Sequence, residues 1–290
     1  MLPPSRGSIT AAPDPPVRGT VAATVVIPTL NEQERIADAV SDAAVWADEI
    51  IVVDGGSEDD TVFRAQTAGA KVHVLRGSSI GQQRNLGASM ATNEWVFALD
   101  TDERVSESLR EELRAVLSAP ANDAYRVRMQ NFYLGRERKR GRWGRDWHVR
   151  LYKRDLRFGL SRVHERLQAV GSTGTLRGRV IHNPYQDLSH HLTKMIKYAR
   201  WGALELHARG RRATAVDLAV RPAWRFVRDY LFYGSFLDGR YGLTTSTLTA
   251  YTAFLKYAFL YELGNSDVPQ GGPDSSRNAA SGQSRSTRGI

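Results

Sequence analysis

Asn93-Glu-Trp-Val-Phe-Ala-Leu-Asp100-Thr-Asp102 is the stretch that decides how this chain folds and where its chemistry lies. Its apolar run is too short for a helix and reads as a buried strand. The strand ends in two carboxylates at i and i+2. Oxygen ligands of this kind suit a hard divalent cation such as Mg2+ or Mn2+, which readily bridges protein carboxylates to the phosphates of a bound molecule. Two acid-tipped strands precede it: Ala23-Thr-Val-Val-Ile-Pro28-Thr-Leu-Asn31-Glu32 and Glu49-Ile-Ile-Val-Val-Asp54-Gly55-Gly56-Ser57. A lone Asp at a strand end commonly caps a turn. Three in order, separated by helical segments, would gather along one edge of a parallel sheet, where open α/β sheets bind ligands.

Outward from these strands the pattern alternates. Ile36, Val40 and Ala44 recur at helical spacing, with Trp46 closing the segment. Asp60-Thr61 is placed to cap a helix running through Ala68, and Gly69 to end it. Lys71 to Leu75 reads as a third strand and Ser79 to Ala91 as a helix. Glu107 to Leu117 carries Leu109, Leu113, Val116 and Leu117 on one side. Residues 22–120 therefore predict a β-α-β-α-β-α-β-α half with a parallel sheet.

From residue 121 the grammar changes. Tyr125 to Tyr133 and Trp147 to Tyr152 alternate as strands with two unlike faces. In the second, Trp147, Val149 and Leu151 are expected on the packed face, and His148, Arg150 and Tyr152 on the other. The Gly- and Arg-rich loop between them, Gly135 to Asp146, is expected to be mobile. Residues 121–186 complete the sheet domain, and 187–263 form a helical extension. Its first helix carries Leu188, Leu192, Met195, Ala199 and Leu206, Pro222 opens a second, and Leu243 to Leu263 forms a third. Residues 1–21 and 264–290 have little to bury and are expected to be disordered tails.

Charge is concentrated. Between Arg126 and Arg166 stand fourteen Arg or Lys against four acids, a local +10 in a chain whose net charge is +9. Such a region implies an anionic partner. Nucleic acid is not expected, because no helix-turn-helix, zinc-finger or aromatic-basic RNA-binding signature is present. The chain has no cysteine, which excludes disulfides, thiol catalysis and cysteine-based zinc sites. No secretory signal is read at the start. Leu243 to Leu263 is diluted by Lys256, five threonines and a serine, so it falls short of a membrane span. With Arg221, Trp224, Arg225, Phe226, Arg228, Tyr230 and Phe232 it reads either as ordinary packing or as a basic-aromatic surface lying on anionic lipid.

Pro28-Thr-Leu-Asn31-Glu32, Val53-Asp54-Gly-Gly-Ser57-Glu-Asp-Asp60-Thr61, Gly81-Gln-Gln-Arg84-Asn85-Leu-Gly87 and Leu99-Asp100-Thr-Asp102-Glu103 resemble the successive motifs of family-2 inverting glycosyltransferases. Within that family the chain resembles the bacterial branch containing the lipopolysaccharide-core β-glucosyltransferases. Arg150-Leu-Tyr152, Val163-His-Glu165 and Ile181-His182 match that branch more loosely. The resemblance spans roughly residues 22–262 and is most specific through about 105. It implies a GT-A-like, Rossmann-type, mostly parallel sheet flanked by helices, with a helical C-terminal extension.

The resemblance also implies roles. A nucleotide-sugar, favoured as uridine-linked, lies across the strand ends. Asp54 hydrogen-bonds the base, Pro28, Thr29, Asn31 and Glu32 line the nucleotide pocket, and Arg84 meets phosphate. Asp100 lies on the ribose side, and Asp102 holds a Mg2+ or Mn2+ ion. His182 stands near the metal in some relatives, with a buried hydrogen-bonded histidine as the other reading. Glu103 either ligates or caps the next helix. Arg150 is expected to meet the diphosphate or an anionic acceptor. His148 departs from the Gln that close relatives often carry.

Inversion needs one displacement, with a carboxylate taking the proton of the attacking hydroxyl. Glu165, an isolated acid in a basic segment, is the first choice for that base, and Asp146 is its rival. The expected acceptor is a hydroxyl of a cell-envelope glycan or glycolipid, with the protein cytoplasmic and peripheral on the inner face of the cytoplasmic membrane. The competing expectations are a sugar-phosphate nucleotidyltransferase and a non-catalytic scaffold on anionic membrane. The first would want a Gly-rich basic loop after the first strand, and the second leaves three acid-tipped strands unexplained.

Overall fold

In the computed structural model, which describes residues 20–141, 143–159, 167–168 and 171–266, the first half alternates as expected. It runs β1 (Val21–Thr29), α1 (Ile36–Ala44), β2 (Ala47–Asp54), α2 (Thr61–Thr67), β3 (Lys71–Val74), α3 (Ile80–Met90) and β4 (Trp95–Ala98). Then follow β5 (Glu103–Val105), α4 (Glu107–Ser118), β6 (Ala124–Tyr133), β7 (Arg136–Glu137), β8 (Trp147–Lys153), β9 (Arg157–Phe158), β10 (Leu167–Gln168) and β11 (Thr173–His182). The main sheet has the order β3-β2-β1-β4-β8-β6-β11-β5. The pairings among β3, β2, β1 and β4 are parallel, while β8 is antiparallel to both β4 and β6. Val-, Ile- and Phe-rich segments form these strands because both faces are covered.

Alternation along the strands sorts the core. Val25, Ile27, Phe97, Leu99 and Leu151 point to one face, where Ile36, Val40, Leu109 and Leu113 of α1 and α4 cover them. Val26, Val96, Ala98 and Tyr152 point to the other, packed with Ala88 and Phe158. On that second face α3 lies hard against β1. A Cβ on Gly87 would come within 2.4 Å of Val26 Cγ1, so only glycine lets the helix approach this closely.

The β8 expectation needs correction. Trp147 is 41% exposed, while Arg150, Leu151 and Tyr152 are all buried. A strand in the middle of the sheet has both faces covered along its inner half, so a simple in-out alternation does not survive there. The 135–146 loop is also better fixed than expected: Arg138 N–H bonds the Asn131 carbonyl at 2.7 Å, Gly141 N–H bonds the Tyr233 carbonyl at 3.0 Å, and Arg138 pairs with Asp238 at 3.1 Å.

Helices follow: α5 (Leu188–Ala208), α6 (Ala215–Val227) and α7 (Gly239–Ser266). The chain divides into two compact units, one reaching His191 and including Asp229–Thr244, the other comprising Leu192–Arg228 and residues from Thr245 on. In the second unit Ala203, Tyr257 and Leu260 form a small core, and Arg221 and Lys256 lie over the Tyr257 ring. Pro222 lies inside α6 rather than opening it. Thr214 is the true cap, with Asp217 closing a reciprocal capping box, so the helix starts two turns earlier. Among the described residues no helix is long and apolar enough to cross a membrane. Most of the two expected tails lies outside the described residues.

One buried carboxylate ties the N-terminal strands together. Glu49 accepts from Thr24 Oγ1 at 2.6 Å, Lys71 Nζ at 2.7 Å, and Thr92 N–H and Oγ1 at 2.8 and 2.9 Å. Burial disfavours its charge, but these donors outweigh it and hold the carboxyl at about 2, below its usual 4.5. A depressed carboxylate stabilises the fold above the unfolded value, and that stabilisation is lost as pH falls through the folded one. The wild type should therefore exceed Glu49→Gln by on the order of 3 kcal/mol at neutral pH, with the gap closing as pH falls from about 4.5 toward 2. Urea unfolding of both proteins across that range measures it; a gap that does not change with pH contradicts the assignment.

Candidate active site

The parallel strands β1 and β2 end side by side, with Thr29 opposite Asp54. Beyond them the two loops are sewn together. Asn31 adopts a left-handed φ of 55°, its N–H bonds Ser57 Oγ at 2.8 Å, and its side-chain oxygen accepts from Glu58 N–H at 2.9 Å. Glu32 N–H bonds Thr61 Oγ1 at 2.8 Å, and the Glu32 carbonyl receives the N–H groups of Arg35 and Ile36 as α1 begins. Asp54 is buried and caps its own turn: Oδ1 takes the N–H groups of Gly56 and Ser57, each at 2.8 Å, and Oδ2 takes the Ser57 hydroxyl. A carboxylate has about four lone-pair sites, so this turn leaves room for one more donor. The Thr29 hydroxyl is buried beside it with no hydrogen-bond partner among the described residues.

The acidic end of β4 is a tight turn. Glu103 N–H bonds the Asp100 carbonyl at 3.0 Å, and Asp100 N–H bonds Glu103 Oε2 at 3.0 Å. Beneath the turn two arginines balance its charge. Arg84, from the Ser79-capped helix α3, reaches Asp100 Oδ1 at 2.7 Å, and Arg150 from β8 meets Asp100 Oδ2 at 3.3 Å and the Glu103 carboxylate. Burial opposes the Asp100 charge, but Arg84 and Arg150 outweigh it and hold its carboxyl below the usual range. Burial pushes Glu103 up to about 8 despite Arg150, with the like charges of Asp100 and Asp102 adding to the effect.

Asp102 lies on the other side of the turn. Arg35 Nη1 stands 3.6 Å from its Oδ2, and His182 Nε2 stands 3.7 Å from its Oδ1. His182 arrives there because β11 pairs antiparallel with β5, which sets His182 opposite Glu103. Its Nδ1 meets Asn131 Oδ1 at 2.6 Å, and burial holds the imidazole pKa below its ordinary value against the pull of Asp102 and Asp100. Asp102, Glu103 and His182 each offer a ligand atom within 4.8 Å of the others. Two carboxylates and a neutral imidazole fit a cation of the Mn2+ or Mg2+ class, with Asp102 and His182 the better placed because both Glu103 oxygens already accept from Arg150 and Asp100.

Asp146 extends this row. Its Oδ1 pairs with His148 Nε2 at 2.9 Å, and its Oδ2 lies 3.5 Å from Asn131 Nδ2. Burial would raise its pKa, but the His148 hydrogen bond and charge outweigh that and keep the carboxylate ionised.

The strand ends thus bring together Asp100, Asp102, His182, Arg84 and Arg150, with Asp146 joined to His182 through Asn131. Arg150, expected toward a diphosphate, is only 4% exposed and engages Glu103 and Asp100 from below, making it the counter-charge of the acidic turn. Glu165 lies outside the described residues. No pattern in the sequence marks Arg35 or Asn131. Arg35 sits in an ordinary helix start, and Asn131 is one polar residue in an alternating strand; only the pairing of distant strands gives them neighbours of consequence.

Known proteins resemble this chain over most of its length. An uncharacterized glycosyltransferase of Rickettsia typhi is 28% identical over 248 residues, covering 81% of this chain and 85% of the relative. The lipopolysaccharide core biosynthesis glycosyltransferase LpsC of Rhizobium meliloti is 28% identical over 250 residues, covering 80% and 89%. Among solved structures, TarS 1-349 of S. aureus in complex with UDP-GlcNAc aligns over 84% of this chain and 91% of its own, at 14% identity and a TM-score of 0.46. The model of the family described as "Glycosyl transferase family 2" matches residues 24–170, half of the chain. The chain belongs to glycosyl transferase family 2.

Proposed function

We propose that the enzyme moves a sugar, with inversion, from a nucleoside-diphosphate sugar to a hydroxyl of a cell-envelope glycan or glycolipid. The observation that carries this reading is the facing of Asp102 and His182 at 3.7 Å on the acid-tipped turn of a family-2 sheet. The likeness to LpsC, a lipopolysaccharide core biosynthesis enzyme, supports an envelope acceptor. A uridine nucleotide is the favoured donor.

In this reading Thr29, Asn31, Glu32 and the remaining acceptor site of Asp54 bind the nucleoside, and Pro28 holds that turn. Asp100, fixed by Arg84 and Arg150, faces the ribose. Asp102 and His182 hold the divalent cation, which when bound supplies Lewis-acid stabilisation of charge on the departing diphosphate. The acceptor oxygen forms its bond to the anomeric carbon as the bond to the phosphate oxygen breaks. The electron pair leaves with the diphosphate, and the acceptor proton passes to a carboxylate.

Asp102→Ala should depress transfer about a hundredfold or more while leaving the fold intact, and excess chelator should do the same to the wild type. Loss of one such electrostatic partner is worth about 3 kcal/mol or more, roughly a hundredfold in rate. Full turnover in excess chelator removes the metal from the mechanism.

The base is tested by replacing each carboxylate with its neutral isostere. Glu165→Gln should depress transfer by about a hundred- to ten-thousand-fold with nucleotide affinity nearly unchanged. Asp146→Asn is measured beside it. If Asp146→Asn is inactive and Glu165→Gln transfers at the wild-type rate, Asp146 takes the role. Its pairing with His148 would then fix the carboxylate and keep it ionised.

A further inference from the structure

We infer that Asn131 is a positioning residue that fixes the tautomer of His182, leaving the Nε2 lone pair directed at Asp102. The assignment of the metal rests on the function proposed above; the tautomer does not.

The geometry allows one orientation of the Asn131 amide. Its Nδ2 lies 2.7 Å from the Trp143 carbonyl, an acceptor only, and 3.5 Å from Asp146 Oδ2, also an acceptor. The amide nitrogen must therefore face that side. Oδ1 is left facing His182 Nδ1 at 2.6 Å, and an amide oxygen only accepts, so Nδ1 carries the hydrogen and donates it. In a neutral ring the free lone pair is then on Nε2, the atom 3.7 Å from Asp102 Oδ1. Neutral imidazole ligates a metal through the nitrogen that carries no hydrogen, and the bond made by its other nitrogen selects which one that is.

Asn131 is itself held tightly. It is 3% exposed, and the parallel pairing of β6 with β11 sets it beside His182. Its backbone carbonyl takes the Arg138 N–H at 2.7 Å, and its amide holds the Trp143 carbonyl in the same loop. Trp143 in turn packs edge-on against Tyr133, with ring centroids 5.6 Å apart. The amide thus joins the imidazole on β11 to the loop that carries Asp146. A neutral or charged side chain of the same shape, lacking the amide's two-sided pattern, would not make both contacts.

The simpler alternative is that Asn131 only anchors the loop at Trp143. Two variants separate these roles. Asn131→Asp keeps an accepting oxygen for His182 Nδ1 but loses the donor to Trp143, whereas Asn131→Leu loses both. Histidine-labelled protein without metal, at alkaline pH, is read by two-bond 15N–1H NMR, with His182→Gln identifying the signal. The wild type should show the Nδ1–H tautomer, Asn131→Asp should keep it, and Asn131→Leu should not.

Mn2+ titration followed by electron paramagnetic resonance gives the second readout. Asn131→Leu should bind Mn2+ about 10- to 100-fold more weakly, the usual loss for an outer-shell partner, and Asn131→Asp should stay within a few-fold of wild type. An Nε2–H tautomer in the wild type overturns the inference, whether or not either variant folds. So does equal loss of Mn2+ affinity in both variants, which marks a loop anchor. A wild type that shows the Nδ1–H tautomer but binds no Mn2+ upholds the positioning role and removes the metal reading instead.

Discussion

Three carboxylates within four residues, Asp100, Asp102 and Glu103, repel one another, and the turn that holds them persists only because positive charge is built around it. A buried carboxylate is costly unless it is paired and hydrogen-bonded. Here Arg84 and Arg150 answer Asp100, Arg150 answers Glu103, and Arg35 and His182 approach Asp102. Each partner comes from a different element: α3, β8, the start of α1 and β11. The site therefore depends on the packing of the whole sheet, and small displacements of any of these elements would change the balance at the turn.

The packing has its own requirements. Arg84 reaches Asp100 because α3 lies close on β1, which the missing Cβ of Gly87 permits. Arg150 reaches it because β8 is inserted next to β4 in the sheet, antiparallel to it, with Val96 opposite Tyr152. His182 reaches Asp102 because β11 closes back on β5. Local capping assists: Ser79 and Gln82 form a reciprocal box that fixes where α3 begins, one turn before Arg84.

The parallel half of the fold was legible in the sequence because its signals are local. A buried strand of four to eight residues and a glycine stop are written in consecutive positions, and β1 through β4 follow them closely; Asp60, expected to cap α2, makes no side-chain cap bond, and the short β5, antiparallel to β11, was not expected. The acidic turn was legible for the same reason. What was not legible depends on which strands become neighbours. The placement of β8 between β4 and β6 buries Arg150 and exposes Trp147, the reverse of what alternation alone suggests. The 135–146 loop looked unconstrained by composition, yet bonds from Asn131, Tyr233 and Asp238 hold it, and the last two stand far away in sequence. Pro222 misled because proline is favoured in a helix's first turn, while a reciprocal cap at Thr214 begins the helix earlier.

The central claim is that the acid-tipped turn holds a nucleoside diphosphate through a divalent cation. Calorimetric titration of uridine diphosphate into the wild type and Asp102→Asn, each with and without Mn2+, tests it without turnover. The account predicts that Mn2+ tightens binding to the wild type by at least about tenfold, or 1.4 kcal/mol, and that this gain is absent in Asp102→Asn. Affinity for the nucleotide that is the same with and without Mn2+ in the wild type would contradict it.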